Sequence, residues 1–178
     1  VKAEEVICGN GAAEVIFTLC HAVKPKRALI PAPTFAEYGQ ALASTGCELE
    51  YYMLTENDGF VLSEAYLDIL HKGLDMAFLC NPNNPTGMLI PHRLLKRILE
   101  KCRKLDILLV VDECFLDFVK EPEEYSLKHS LSGFNNLFIL KAFTKRYAMA
   151  GVRLGYGLCS DRKLLERMEL CVQPWNVS

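Results

Sequence analysis

Strand-sized apolar runs alternate with helix-spaced apolar stripes along this chain, and that alternation restricts what it can fold into. The clearest run is Ile107-Leu108-Leu109-Val110-Val111, uninterrupted and ending in Asp112-Glu113. Such a run reads as a central strand covered on both faces. Stretches at 27–31, 76–80, 137–141 and 154–160 read as further strands, and 48–54 as one that alternates less cleanly. Between them, 12–22 carries Val15, Ile16, Leu19 and Cys20 on one stripe, 36–44 reads as a helix closed by Gly46, and 91–104 is amphipathic. Ser63 is expected to cap a helix to residue 71, and Asp161 one to about residue 172. The expected fold is α/β, with a mostly parallel mixed sheet between helices on both faces. Residues 119–136, polar and irregular, are expected to be a mobile surface segment with a short helix.

Composition narrows the function classes. Half the residues are apolar (51%) and a quarter charged (24%), the balance of a globular domain with a proper core. With 20 basic and 22 acidic residues the net charge is −2, so there is no basic field for nucleic acid. The apolar runs are far shorter than a membrane span, and the start shows no signal-peptide pattern; a cytoplasmic location is the expectation. The eight cysteines are scattered, form no Cys-x-x-Cys pair and do not cluster with the four histidines. They read as thiols in apolar surroundings, with neither disulfide nor metal expected.

The run Cys80-Asn81-Pro82-Asn83-Asn84-Pro85-Thr86-Gly87 is no ordinary linker. Each Pro fixes its own φ and biases the residue before it to extended conformations, so the turn holds amide side chains in set directions. Two later segments complete it: the apolar strand ending in Asp112, and Phe143-Thr144-Lys145 followed by Gly151-Val152-Arg153-Leu154-Gly155-Tyr156.

In that order and spacing the three segments resemble the large domain of the fold-type I pyridoxal phosphate (PLP) enzymes, the aspartate aminotransferase superfamily. Pro33-Thr34-Phe35-Ala36-Glu37-Tyr38-Gly39 and Asp112-Glu113-Cys114-Phe115 look most like the threonine-phosphate decarboxylases within it, close relatives of the histidinol-phosphate aminotransferases. The resemblance runs from Gly9 to about residue 175 and implies a three-layer α/β sandwich. Family members are about twice as long. Residues 1–178 are therefore expected to be a large-domain fragment lacking the small domain and the N-terminal segment. A homodimer is expected of the full-length protein.

The resemblance also implies roles. Lys145 would carry the cofactor on its amine and shuttle protons at the substrate Cα. A Schiff-base lysine must reach its neutral form, which partial burial or a neighbouring cation such as Arg146 favours. Asp112, at the carboxyl end of a buried strand, would keep the cofactor's ring nitrogen protonated; the plainer alternative is a turn cap. Asn84 would donate to the ring oxygen, while Asn81 and Asn83 brace the turn. Gly11, Ala12 and Ala13 at a helix start, with Thr144 and Arg153, would hold the phosphate. Ala142 stands where relatives carry a Ser or Thr, so one phosphate contact is missing. Tyr38 is expected to stack on the cofactor, the alternative being a core aromatic, a role that suits Phe35 better. Phe115 replaces the Tyr of many aminotransferases and tilts the expectation toward decarboxylation of threonine phosphate. Transamination of histidinol phosphate is the alternative, and a non-catalytic binding module of the same fold a second one.

Overall fold

A computed structural model describes residues 1–149, 151–173 and 176, apart from the side chain of Arg146. Its centre is a seven-stranded sheet. The strands are β1 (Val6–Gly9), β2 (Arg27–Ala32), β3 (Glu48–Met53), β4 (Met76–Cys80), β5 (Leu108–Asp112), β6 (Leu137–Ala142) and β7 (Gly155–Cys159). They lie in the order β1-β7-β6-β5-β4-β2-β3. β7 runs antiparallel to both of its neighbours, and the pairs from β6 to β3 are parallel.

Because side chains alternate across a strand, the apolar runs feed two cores. Met76, Phe78, Val110, Phe138 and Leu140 face α1 (Ala12–Val23), α2 (Ala36–Ala43) and α6 (Arg162–Glu169). Ala77, Leu79, Leu109, Val111, Leu137 and Ile139 face the other way, against α3 (Tyr66–Ile69) and α4 (His92–Leu105). This is the three-layer α/β sandwich that the alternation and the resemblance call for. Asp161 caps α6, its carboxylate accepting from the N–H of Lys163 at 3.0 Å and of Leu164 at 3.3 Å.

Two expectations need correction. The helix expected from Ser63 to residue 71 shrinks to one turn, α3, because Leu70 is already extended. The Ser63 hydroxyl is spent on the Ala65 N–H and the Tyr52 hydroxyl rather than on a cap. The segment 119–136 carries short helices on the surface, 3-10 turns at Pro122–Glu124 and Lys128–Gly133, but it is also anchored from beneath. The Ser126 hydroxyl and the Leu127 N–H donate to the buried Glu113 carboxylate at 2.8 and 3.0 Å, and Leu127 and Leu131 are buried.

All eight cysteines are free thiols, and six of them are buried. No helix among the described residues is long and apolar enough to cross a membrane.

Candidate active site

The parallel strands all end on one edge, and β7 starts there because it runs in reverse. Register brings Cys80 beside Asp112, Asp112 beside Leu140, and Ala142 beside Gly155. Above this carboxyl edge, on the face shared with α1 and α2, lies a cavity of about 180 Å³. Gly11, Ala12, Ala13, Asn84, Asp112, Thr144, Lys145 and Arg153 all line it. Of the candidate site residues, only Tyr38 is missing from the walls.

Asp112 is 5% exposed, yet its carboxylate is well supplied with donors. Oδ1 accepts from the Cys114 N–H at 2.9 Å, and Oδ2 from the Tyr38 hydroxyl at 2.6 Å. Burial, and then the neighbouring Asp112, push the Tyr38 phenol well above its ordinary 10, so it keeps the proton it donates. Cys80 and Cys114 also line the cavity, and burial followed by the Asp112 charge holds both as thiols, Cys80 being pushed up to about 12.

The stacking expected of Tyr38 is therefore corrected. Its ring is fully buried and stacks on Phe78, with centroids 4.9 Å apart and planes 18° apart. Phe35, extended at the N-terminus of α2, lines the cavity instead and meets Tyr38 edge-on at 5.5 Å. A residue at the helix start leans out over the strand ends, whereas one a turn into the helix points down onto the sheet.

Lys145 follows β6 in the one-turn helix α5 (Phe143–Arg146). It is exposed rather than partly buried, with its ammonium 4.9 Å above the Phe115 ring, a cation–π contact. The Arg146 side chain, invoked as a neighbouring cation, lies outside the described residues. Asn81 and Asn83 brace the turn as expected. The Asn81 carbonyl oxygen accepts from the Ile90 N–H at 2.8 Å, and the Asn83 amide donates to the Pro33 carbonyl at 3.0 Å and to Thr86 at 2.9 Å. The peptide bonds before Pro33, Pro82 and Pro85 are cis.

At its other end the cavity is cationic. The first turn of α1 presents Ala12 and Ala13 at the positive end of the helix dipole, and Arg153 and Thr144 stand with them. Gly11 has φ +83, and a Cβ there would come within 3.1 Å of the Arg153 guanidinium, so the lack of a side chain keeps this corner open. An anion fits here. A basic ring nitrogen fits at Asp112, a hydrogen-bond acceptor at Asn84, and an aldehyde at Lys145. One group with all four features suits the whole cavity.

Glu37, which sequence reasoning passed over, also lines the cavity. So does Phe35, for which the only signal was its place just before α2. Behind the site, Lys141 on β6 is 3.3 Å from Glu113 and 3.8 Å from Asp117, an ion pair on the opposite face of the sheet.

Comparisons with known proteins give the chain a family and solved structures of the same fold. The family model described as aminotransferase class I and II matches residues 1–178. A threonine-phosphate decarboxylase from Salmonella typhimurium is 44% identical over 178 residues, all of this chain and 48% of that protein. Among solved structures, L-threonine-O-3-phosphate decarboxylase from Porphyromonas gingivalis superposes with a TM-score of 0.86 at 27% identity, over 100% of this chain and 51% of that one. Histidinol-phosphate aminotransferase from Clostridium acetobutylicum gives 0.87 at 27% identity, over 97% and 50%. The chain spans about half the length of the curated relatives it matches.

Proposed function

Because the chain belongs to the class I and II aminotransferase family, we propose that its cavity holds pyridoxal 5′-phosphate and that the whole protein decarboxylates threonine phosphate. The family is one of pyridoxal 5′-phosphate enzymes, and relatives named for threonine phosphate and histidinol phosphate supply the substrate class for this reading. The observation that carries it is the convergence of Lys145, Asp112 and Arg153 on one cavity. Residues 1–178 serve as the large domain, and the whole protein is a homodimer.

Arg153, Thr144 and the start of α1 would hold the phosphate, the guanidinium by a bidentate grip that a lysine cannot offer. When bound, the cofactor supplies an electron-accepting ring for the pair released as a Cα bond breaks. Asp112, its carboxylate held in place by its two donors, would hold a proton on the ring nitrogen. Asn84 donates to the ring oxygen. Phe35, in place of Tyr38, covers the ring and excludes water from one face. Lys145 would carry the cofactor on its amine and, once the substrate amine has displaced it, would give Cα the proton that takes the place of the departing carbon dioxide.

Decarboxylation is favoured over transamination by Phe115, which has no hydroxyl to offer the ring oxygen, and by the 44% identity to a decarboxylase. The second reading, an aminotransferase acting on histidinol phosphate, has the Clostridium structure in its favour.

Two measurements test these statements. Borohydride reduction of the cofactor-loaded protein, followed by peptide mapping, is expected to place the label on Lys145; a label on another lysine rejects the anchor. Incubation with threonine phosphate is expected to release carbon dioxide and aminopropanol phosphate without forming glutamate from 2-oxoglutarate. Glutamate formation from histidinol phosphate, with no carbon dioxide from threonine phosphate, would transfer the assignment to the aminotransferase.

A further inference from the structure

The anion end of the cavity is built where two remote stretches of chain meet, the turn before α1 and the return into β7. Gly155 opens β7, paired with Gly9 on one side and Ala142 on the other. A Cβ placed on Gly155 would stand 2.9 Å from Ala12 Cα, and closer still to Ala12 N and the Gly11 carbonyl carbon. These are backbone atoms of the helix start, so no change of rotamer relieves the overlap. From the other side, Gly11 faces Arg153 with no side chain between them, and Arg153 itself takes a positive φ of 22°. A non-glycine residue there is held by its surroundings, as strained residues at functional sites are. The helix start thus sits directly on the strand, with the guanidinium beside it.

We propose that Gly155 is a positioning residue for anion recognition. Its missing side chain sets how deeply the start of α1 seats against β7, and so places the Ala12 and Ala13 N–H groups and Arg153 to share one phosphate. The inference rests on the pyridoxal phosphate reading above, and it predicts something that reading does not. Substitution at Gly155 should cost affinity for the phosphate specifically, leaving recognition of the ring intact.

The test compares binding of pyridoxal phosphate and of pyridoxal, which lacks the phosphate, by absorbance titration of the purified protein. The variants are Gly155→Ala, Gly11→Ala and Gly157→Ala, with circular dichroism as the check on folding. Gly157 is the control because it lies on the same strand and face, but a Cβ there would meet the Phe138 ring and not the helix start. Charge-assisted hydrogen bonds are strong enough that misplacing them should lower the pyridoxal phosphate to pyridoxal affinity ratio by about tenfold or more. That fall is expected in Gly155→Ala and Gly11→Ala, with the ratio kept in Gly157→Ala. An unchanged ratio in folded Gly155→Ala, or an equal fall in Gly157→Ala, overturns the proposal. Should Gly155→Ala not fold, Gly11→Ala decides by the same criterion. Wild-type protein that binds neither compound would instead sink the cofactor reading itself.

Discussion

Tyr38 and Phe35 stand three residues apart, and the first turn of α2 sends them to different tasks. The sequence shows an aromatic pair before a small-residue helix but cannot say which ring leans over the strand ends. That depends on where the helix begins, and boundaries are the least legible part of a sequence. Asp112, Lys145, Asn84, Thr144, Arg153 and the Gly11-Ala12-Ala13 turn were picked out by the resemblance of their motifs, and the structure gathers them on one cavity. Tyr38→Phe separates the two tasks. It keeps the ring but removes the donor to Asp112 Oδ2, so turnover is expected to fall by about tenfold while cofactor affinity holds, as loss of a hydrogen bond to a buried charge would give. Steady-state rates with a parallel cofactor titration check this. A variant as fast as wild type would mean that the hydroxyl does nothing for the carboxylate.

Strands β2 to β7 were readable to within a residue or so because apolar runs of their length have few other uses, whereas the four-residue β1 was missed. The polar segment after β5 was not, since its anchor is a single carboxylate. Glu113 is inaccessible to solvent, and it ties β6 to the 3-10 turns after β5 through Lys141, Ser126 and Leu127. Burial raises the Glu113 pKa above its ordinary 4.5, with Lys141 the chief opposing influence. A folded-state value above the unfolded one means stability that is full below about pH 4.5 and is lost as pH rises through the folded value. Lys141→Met removes the opposing charge and lifts the folded value further. At neutral pH it strands a buried carboxylate, and about 3–5 kcal/mol of destabilisation is expected. Near pH 4 the carboxyl takes up a proton and the deficit should shrink. Urea unfolding at the two pH values measures it, and an equal loss at both would assign Lys141 a packing role alone.

At the scale of the molecule, the segment following Lys145 leaves apolar side chains outside. Tyr147, Met149 and Val152 are exposed, as is Phe118 after β5. Exposed apolar side chains beside a site suit a surface that another chain covers, and the proposed homodimer places its interface there. Sedimentation of the full-length protein is expected to show a dimer; a well-behaved monomer at micromolar concentration would contradict that placement. The sheet order has a different consequence. Among the described residues β1 is an outer strand with β7 as its one sheet neighbour, and Val6 pairs with Leu158. Contacts between such distant residues form slowly, since a long loop must close first. As a ribosome extends the chain, residues 6–9 emerge well before residues 155–158, the strand they pair with. Pairing of β2 to β6 can proceed without them, but the proposed phosphate-binding corner cannot form until residue 155 has left the exit tunnel. Of the seven strands β1 is made before the others, yet it is placed only with β7, and until then the proposed cofactor site is incomplete.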